Sequence, residues 1–527
     1  MSYNDLLWQF STSLLGIYLM NSSDSFTINT VNSCELPPLN STPLFIQLIK
    51  LSQSPESPLS LSDTSLLISS AIEPDIKPDI KPDIKPDIKP DIKPDIKPGI
   101  ISKTASTKNN DRRFSYFSAN PSNKRLFYCP EALDTWQQSI QIDSNTKGDT
   151  AIPFHSGWIG YFAYPQSTPL INSSATTKAN NNQSAAAIAE FNYYPWSICF
   201  DHFENRYHLL GNPDQAARDA FYWLQSEHSK ISEPVNTTSF KASTFKASAF
   251  KPRWHKNDYR KAFFKVQDYL IAGDCYQVNL THPFISEQYK GAAIDTLKPL
   301  FDALKPSFGC YFQGKNCELV SMSPERFISI DNTGKLQAKP IKGTIKRSAN
   351  KLVDNALITE LANSAKNQAE NLMIVDLLRN DLSISAIPGS VKVDKLFELE
   401  SHPNVHHLVS TISAQLRSDI SPAKAISHAF PGGSITGAPK KRAMEIIDEL
   451  EVQPRSLYCG SFGYFSDSGH TDFNILIRSL EFRDGSITCW GGGGITVDSD
   501  CDEEYEESLT KIRRIMDVVE GLEVTGQ

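Results

Sequence analysis

The stretch PIKGTIKR, residues 340–347, sets Lys342 between an isoleucine and a glycine, in a run that reads as a strand entering a tight turn. Lysines ordinarily sit on solvated faces, where the ammonium keeps its water. A strand-edge lysine on its wet side is the ordinary reading of these eight residues alone. A lysine aimed along an apolar stretch and stopped by glycine is the other, and the surrounding chain bears on the choice.

Downstream, NSAKNQAENLMIVDLLRNDL (363–382) reads as a helix with Glu370 on one face with Met373, Ile374 and Leu377. A carboxylate on an apolar stripe needs a cation, a metal or several donors; a boundary glutamate paired with an arginine is the plain alternative. In DSDCDEEYEESLTKIRRIM (498–516), Tyr505, Leu509, Ile512 and Met516 read as the packed stripe, with Glu504, Glu507 and Lys511 flanking it. Acidic residues in a first helical turn also complement the helix dipole. Carboxylates from two helices meeting at one point would suit Mg²⁺, which prefers oxygen ligands.

FPGGSITGAPKKRAMEIIDELE (430–451) is a glycine-rich turn opening a helix at Pro439. It has the glycine spacing of a phosphate loop, but Ala438 stands where lysine must follow. Free amides at a helix start still suit an anion such as a carboxylate. GGGGIT (491–496) offers a second close-approach backbone and is not a dinucleotide fingerprint. Arg478 interrupts the apolar run NILIRSL (474–480), as Lys342 interrupts its own; pairing with Asp472 is the ordinary explanation. Two cations, a glycine-opened helix and two or more carboxylates point to a dianionic small substrate beside a metal.

The chain of 527 residues is 40% hydrophobic and 21% charged, a globular composition, and its net charge of −8 argues against nucleic-acid or membrane-surface binding. Nine scattered cysteines with no CxxC pair fit free thiols in a reducing cytoplasm. MSYNDLLWQFSTSLLGIYLM (1–20) lacks the basic start of a signal peptide, and no apolar run is long enough to span a membrane, so a cytoplasmic protein is expected.

Two low-complexity stretches divide the chain. Six PDIK copies (74–97), ending at Pro98-Gly99, read as a neutral, extended arm, because proline at every fourth position removes a backbone donor and disfavours helix. FKASTFKASAFKP (240–252) reads as a linker. We therefore expect an N-terminal region 1–239 carrying the 74–98 insertion, and a region 253–527 carrying the chemistry. The first has strand runs SLLISS, RRFSYFSA, GWIGYFAY and SICFDHFENRYHLLG; the second alternates helices and strands, with helices near 258, 354–381, 438–451 and 502–520.

SPERF, PIKGT, AENLMIVDLLRND, VHHLVS, GGSITGAPKKRAM, YCGSFGYF, NILIRSL and GGGGIT…EYEESLTK resemble, in order and approximate spacing, the motifs of the chorismate-utilising enzymes. That family includes anthranilate, aminodeoxychorismate, isochorismate and salicylate synthases. The likeness covers 254–520 closely. It implies an α+β fold of two large, roughly orthogonal antiparallel sheets with helices outside, the N-terminal region contributing to the same sandwich.

Within the family, lysine in PIKGT resembles the branch that makes 4-amino-4-deoxychorismate from chorismate and ammonia; anthranilate synthases usually carry alanine there. The resemblance implies Lys342 as nucleophile at chorismate C2 and Glu325 as the acid that protonates the departing hydroxyl. It implies Glu370 and Glu507 as Mg²⁺ ligands, with Glu504 beside them. Tyr458, Arg478 and Lys511 match contacts to the substrate carboxylates. Gly343, Thr344, Gly437 and Gly494 match backbone or hydroxyl donors, and His407 a histidine near the leaving group. Gln277 stands where the water-adding branches have a base lysine, and it cannot deprotonate water. Asn367 replaces an acid found in several relatives one turn before Glu370. Ser69 replaces an acid of the family's tryptophan-pocket strand, so tryptophan binding is not carried over. No glutaminase signature is present, which implies a separate glutaminase subunit as ammonia source.

Overall fold

The β-rich runs of both halves pair antiparallel into two large sheets in a computed structural model, which describes residues 42–52, 61–68, 113–140, 152–165, 187–230, 245–401, 405–451 and 453–522. The PDIK arm, residues 1–20 and Ser69 lie outside the described residues, as does 240–244 of the linker. All described residues belong to the unit Pro38–Gln527.

The first sheet runs in the order Gly437–Ala438, Gln277–Ser286, Ser486–Ile495, Ser479–Arg483, Glu318–Ser323, Phe308–Gln313, Ser65–Ile68, Phe114–Ser118, Trp196–Asp201 and Arg206–Gly211. The second runs Ile341–Lys346, Val405–Gln415, Lys335–Ala338, Arg326–Ile330, Thr471–Asn474, Ser461–Ser466, Gly157–Phe162, Ala189–Tyr194 and Asn123–Phe127, with Lys392–Ser401 also paired to Val405–Gln415. Strands before residue 212 and after 276 thus share both sheets. With helices packed on them, the architecture is α+β.

Aromatic residues from the two sheets meet in one buried cluster: Tyr116 and Phe312 from the first, Phe462 and Tyr464 from the second. Each such side chain stabilises the fold by about 1.5–3 kcal/mol on burial. A second cluster holds helices Thr42–Ser52, Leu297–Leu304 and Cys501–Glu520 on the first sheet. A third holds Ala365–Ser383 and Pro422–Ala429 on the second.

Four local expectations are corrected. PIKGT does not run into a tight turn: the strand continues from Ile341 to Lys346. The helix expected over 354–381 is two helices, Lys351–Asn363 and Ala365–Ser383, because the Ser364 side chain caps the second by accepting from Asn367 N. The glycine-rich loop does not feed straight into a helix; Gly437–Ala438 first pairs with Gln277 and Val278, and the helix begins at Lys440. On Cys501–Glu520 the buried stripe is Cys501, Glu504, Ser508, Ile512, Ile515 and Val519, so Glu504 lies on the stripe instead of flanking it. Gly491 explains the last point: a Cβ there would stand 2.6 Å from Ser508 O, so only a bare backbone lets the helix rest on Ser486–Ile495.

Among the described residues no helix is long and apolar enough to cross a membrane, and the eight cysteines there are unpaired.

Candidate active site

Lys342 enters on a β-bulge. Against Val405–Gln415, Ile341 faces Val409 and Thr344 faces His407, so three steps on one strand match two on the other. Gly343 takes φ 84°, a left-handed conformation that costs glycine little. A Cβ there would lie 3.0 Å from both Leu361 Cδ1 and Asn367 Cγ. The bulge re-aims Lys342, which is half-buried and has no hydrogen bond or ion pair among the described residues. Burial pushes its pKa down; Glu325 and Glu370 oppose that, and Lys511 reinforces it.

Glu325 stands where the chain leaves the first sheet at Ser323 and joins the second at Arg326. Arg478 stands at the neighbouring crossover, between Thr471–Asn474 and Ser479–Arg483. The two passages are tied by Ile475 N donating to Glu325 O at 3.1 Å. Glu325 is 8% exposed, and its carboxyl accepts from Ser434 Oγ at 3.1 Å. Burial pushes its pKa up, against the pull of Lys342, Ser434, Arg478 and Lys511. Burial therefore works toward a proton on Glu325 and a bare amine on Lys342, while the opposite charge each presents to the other works against it.

The Arg478–Asp472 pair does not form. Arg326 grips Asp472 instead, with Nε to Oδ1 at 2.9 Å and Nη2 to Oδ2 at 2.8 Å. The Arg478 guanidinium has no hydrogen bond or ion pair among the described residues; burial lowers its pKa and Glu325 opposes the shift.

The helix carboxylates flank this centre. Glu504 is buried, with Oε1 accepting from Ser499 Oγ at 2.7 Å and Oε2 lying 2.9 Å from where a Gly493 Cβ would stand. Burial pushes its pKa up, and Glu507 adds to that. Glu507 is exposed and pairs with Lys511 Nζ at 2.9 Å. Burial works upward on it too, but Lys511, then Lys366 and Lys342, hold it below the usual range. Lys511 also donates to Gly492 O at 3.0 Å. Lys366, in the first turn of the Glu370 helix, acts on both Glu504 and Glu507, and Lys342 feels both Glu370 and Glu507. Acids of both helices thus act electrostatically on Lys342.

The oxygens of Glu370, Glu504 and Glu507 do not all approach within 4.8 Å of one another; among the described residues Asp201, Glu204 and His208 do. Those three are held by arginines: Arg113 grips Asp201 at two points, and Arg206 reaches both Glu204 and His208. The all-oxygen donors of the glutamates fit Mg²⁺, with Glu504 Oε2 facing a strand that carries no side chain at Gly493.

Of the other expected residues, Thr344 Oγ1 and His407 Nδ1 hydrogen-bond at 2.8 Å beside the bulge. Tyr458 is buried and stacks on Trp490, with centroids 5.6 Å apart and planes 6° apart. Gly437, at φ 146°, presses on Gln277 O. Gly494 faces the Gln277 amide, which is fully buried, with neither Oε1 nor Nε2 partnered among the described residues.

Sequence reasoning missed Ser434 and the Arg455 clamp. Arg455, fully buried, grips Glu451 at two points and donates to Ile435 O and Asn279 O, fixing the glycine loop on its neighbouring strand. Ser434 had a signal, a hydroxyl directly following the glycine pair 432–433; Arg455, in a loop without periodicity, had none.

A profile described as "chorismate binding enzyme" matches residues 101–517. The chain is 40% identical over 400 residues to aminodeoxychorismate synthase component 1 of Escherichia coli K12, covering 76% of this chain and 85% of that one. It is 35% identical to a probable chloroplastic aminodeoxychorismate synthase of rice, covering 74% of this chain and 46% of that longer protein. Anthranilate synthase component I from Streptococcus pneumoniae superposes with a TM-score of 0.63 at 24% identity, covering 81% of this chain and 95% of that one. The isochorismate synthase MenF of Escherichia coli gives 0.57 at 15%, covering 78% and 87%. The profile spans most of the chain, the bacterial relative is covered over most of its own length, and the two-sheet fold agrees with both: the chain belongs to the chorismate binding enzyme family.

Proposed function

We propose that this chain converts chorismate and ammonia to 4-amino-4-deoxychorismate, the reaction for which its 40% identical relatives are named. The observation that carries the reading is Lys342, an amine set on a bulge, depressed by burial and faced by a buried acid. Anthranilate synthase component I is the alternative reading within the same fold.

The Lys342 amine adds to C2 of the ring; the two ring double bonds shift along and the C4–O bond breaks. Glu325 gives its proton to the departing oxygen, which leaves as water. Ammonia then adds at C4, the double bonds shift back, and the C2–N bond breaks to release Lys342 as a free amine. The proton carried in by ammonia restores Glu325 directly or through solvent. Arg478 and Lys511 bind the substrate carboxylates, with Tyr458 closing the wall and backbone at Gly343, Gly437 and Gly494 approaching the ligand. Thr344 and His407 bracket the leaving group. Glu370 and Glu507, with Glu504, would hold Mg²⁺, which when bound neutralises the ring carboxylate and fixes its position.

The relatives' name "component 1" supports a second component, and we propose a separate glutaminase subunit that supplies ammonia from glutamine, in the cytoplasm. Incubating the chain with chorismate, Mg²⁺ and ammonia tests the reading. The expected product is non-fluorescent aminodeoxychorismate with no pyruvate; fluorescent anthranilate with pyruvate would overturn it in favour of the alternative. Mass spectrometry of quenched wild type should locate a chorismate-derived adduct on Lys342, and Lys342→Ala should lose both adduct and rate.

A further inference from the structure

Asp354 and His406 are absent from the machinery above, yet both are buried. Asp354 opens the helix Lys351–Asn363 and gathers three donors: Ser348 N at 2.8 Å, Arg347 Nη2 at 3.2 Å and His406 Nε2 at 3.1 Å. Arg347 and Ser348 directly follow the bulged strand. His406 lies on the strand beside it, opposite Ile345, and its Nδ1 is 2.8 Å from Ser401 Oγ on the third strand. One imidazole and one carboxylate therefore join three strands and a helix.

The serine–histidine–aspartate chain has the residue types of a hydrolase triad. Its carboxylate already holds two other donors and serves the end of the bulged strand, so its work is holding. Leu361 lies seven residues beyond Asp354, on the same face of the helix. It is the side chain that, with Asn367, would touch a Cβ at Gly343. The position of this helix thus sets the wall over the bulge.

We propose that Asp354 and His406 are positioning residues for Lys342: a carboxylate–imidazole brace that keeps helix Lys351–Asn363 against the bulged strand and so fixes where the amine points and how dry it stays. The inference rests on the role given to Lys342 above. The readout chosen, the pH dependence of Lys342 acetylation located by mass spectrometry, follows the surroundings of that amine whether or not it attacks chorismate.

The test compares full-length wild type with His406→Leu, His406→Gln, Asp354→Asn and Ser401→Ala, using ammonia as nitrogen donor. In a folded His406→Leu, kcat should fall about 10- to 100-fold while KM for chorismate changes little. The acetylation midpoint should move up toward that of an ordinary lysine as water reaches the bulge. His406→Gln, whose amide N–H can reach Asp354, should regain most of both. A wild-type kcat and midpoint in folded His406→Leu would overturn the proposal. So would a lower melting temperature or higher KM with the midpoint unmoved, or glutamine behaving like leucine. Should His406→Leu fail to fold, an unmoved midpoint in both Asp354→Asn and Ser401→Ala overturns it equally.

Discussion

Ser434 donates a 3.1 Å hydrogen bond from the glycine loop to Glu325 Oε1, at the corner where the chain passes between sheets. That bond favours the charged carboxylate, while burial favours the protonated form and prevails. Glu325 must carry a proton to release the C4 oxygen, so its loss of that proton is the alkaline limb of the rate profile. Removing the hydroxyl leaves burial less opposed and raises the pKa further. Ser434→Ala should therefore shift the alkaline limb of kcat to higher pH, measured at constant free ammonia. A limb that stays or moves to lower pH would remove Ser434 from the acid's surroundings.

Gly343→Ala meets two obstacles, a φ of 84° and contacts at 3.0 Å to Leu361 and Asn367. The backbone strain alone is about 1–3 kcal/mol. Shifting the bulge by about 1 Å would misplace the amine enough to lower kcat about 100-fold. Denaturant melts and steady-state kinetics on the same preparation check both effects. Full activity in the alanine variant would show that the bulge tolerates a side chain.

These two positions mark the limit of what the sequence discloses. Lys342 stood out because a charged residue broke an apolar run, Glu325 only through the family resemblance of SPERF, and the strands of GWIGYFAY and SICFDHFENRYHLLG because alternation and turn residues bound them. The bulge was not, because it depends on the register against Val405–Gln415, with Thr344 and its partner His407 lying 63 residues apart. Nor was the phase of Cys501–Glu520. Apolar spacing favoured Tyr505, Leu509 and Met516, but the surface beneath is a glycine strand, which accommodates Ser508 and Glu504 where side chains would have excluded them. The cap at Ser364 carried a local signal, a serine three residues before Asn367, that the continuous helical periodicity outweighed.

Lys511 occupies the acidic face as its own cation, 2.9 Å from Glu507. It binds substrate in our reading and competes with a divalent ion for the same carboxylate. Lys511→Met should therefore act in opposite directions: Mg²⁺ titrated calorimetrically into ligand-free protein should bind more tightly, and KM for chorismate should rise. Glu507 loses the neighbour that contributes most to its lowered pKa, so its pKa should move up. Weaker Mg²⁺ binding in the variant would mean that Lys511 orders the site and does not compete in it.

Gln277 is a buried polar group of the site whose hydrogen bonds are unmet. It is fully buried, lies against Gly494 and leaves both amide atoms without partners among the described residues. An unmet buried amide costs about 1–3 kcal/mol, and a fold retains it where a ligand supplies the missing partners. Leucine has similar volume and no polar atoms. Gln277→Leu should raise the free energy of unfolding by about 1–3 kcal/mol in a urea titration and lower kcat/KM for chorismate. The two signs must appear together: a more stable variant with unchanged kcat/KM would sever the amide from catalysis, and a less stable one would mean that its partners lie within the folded chain.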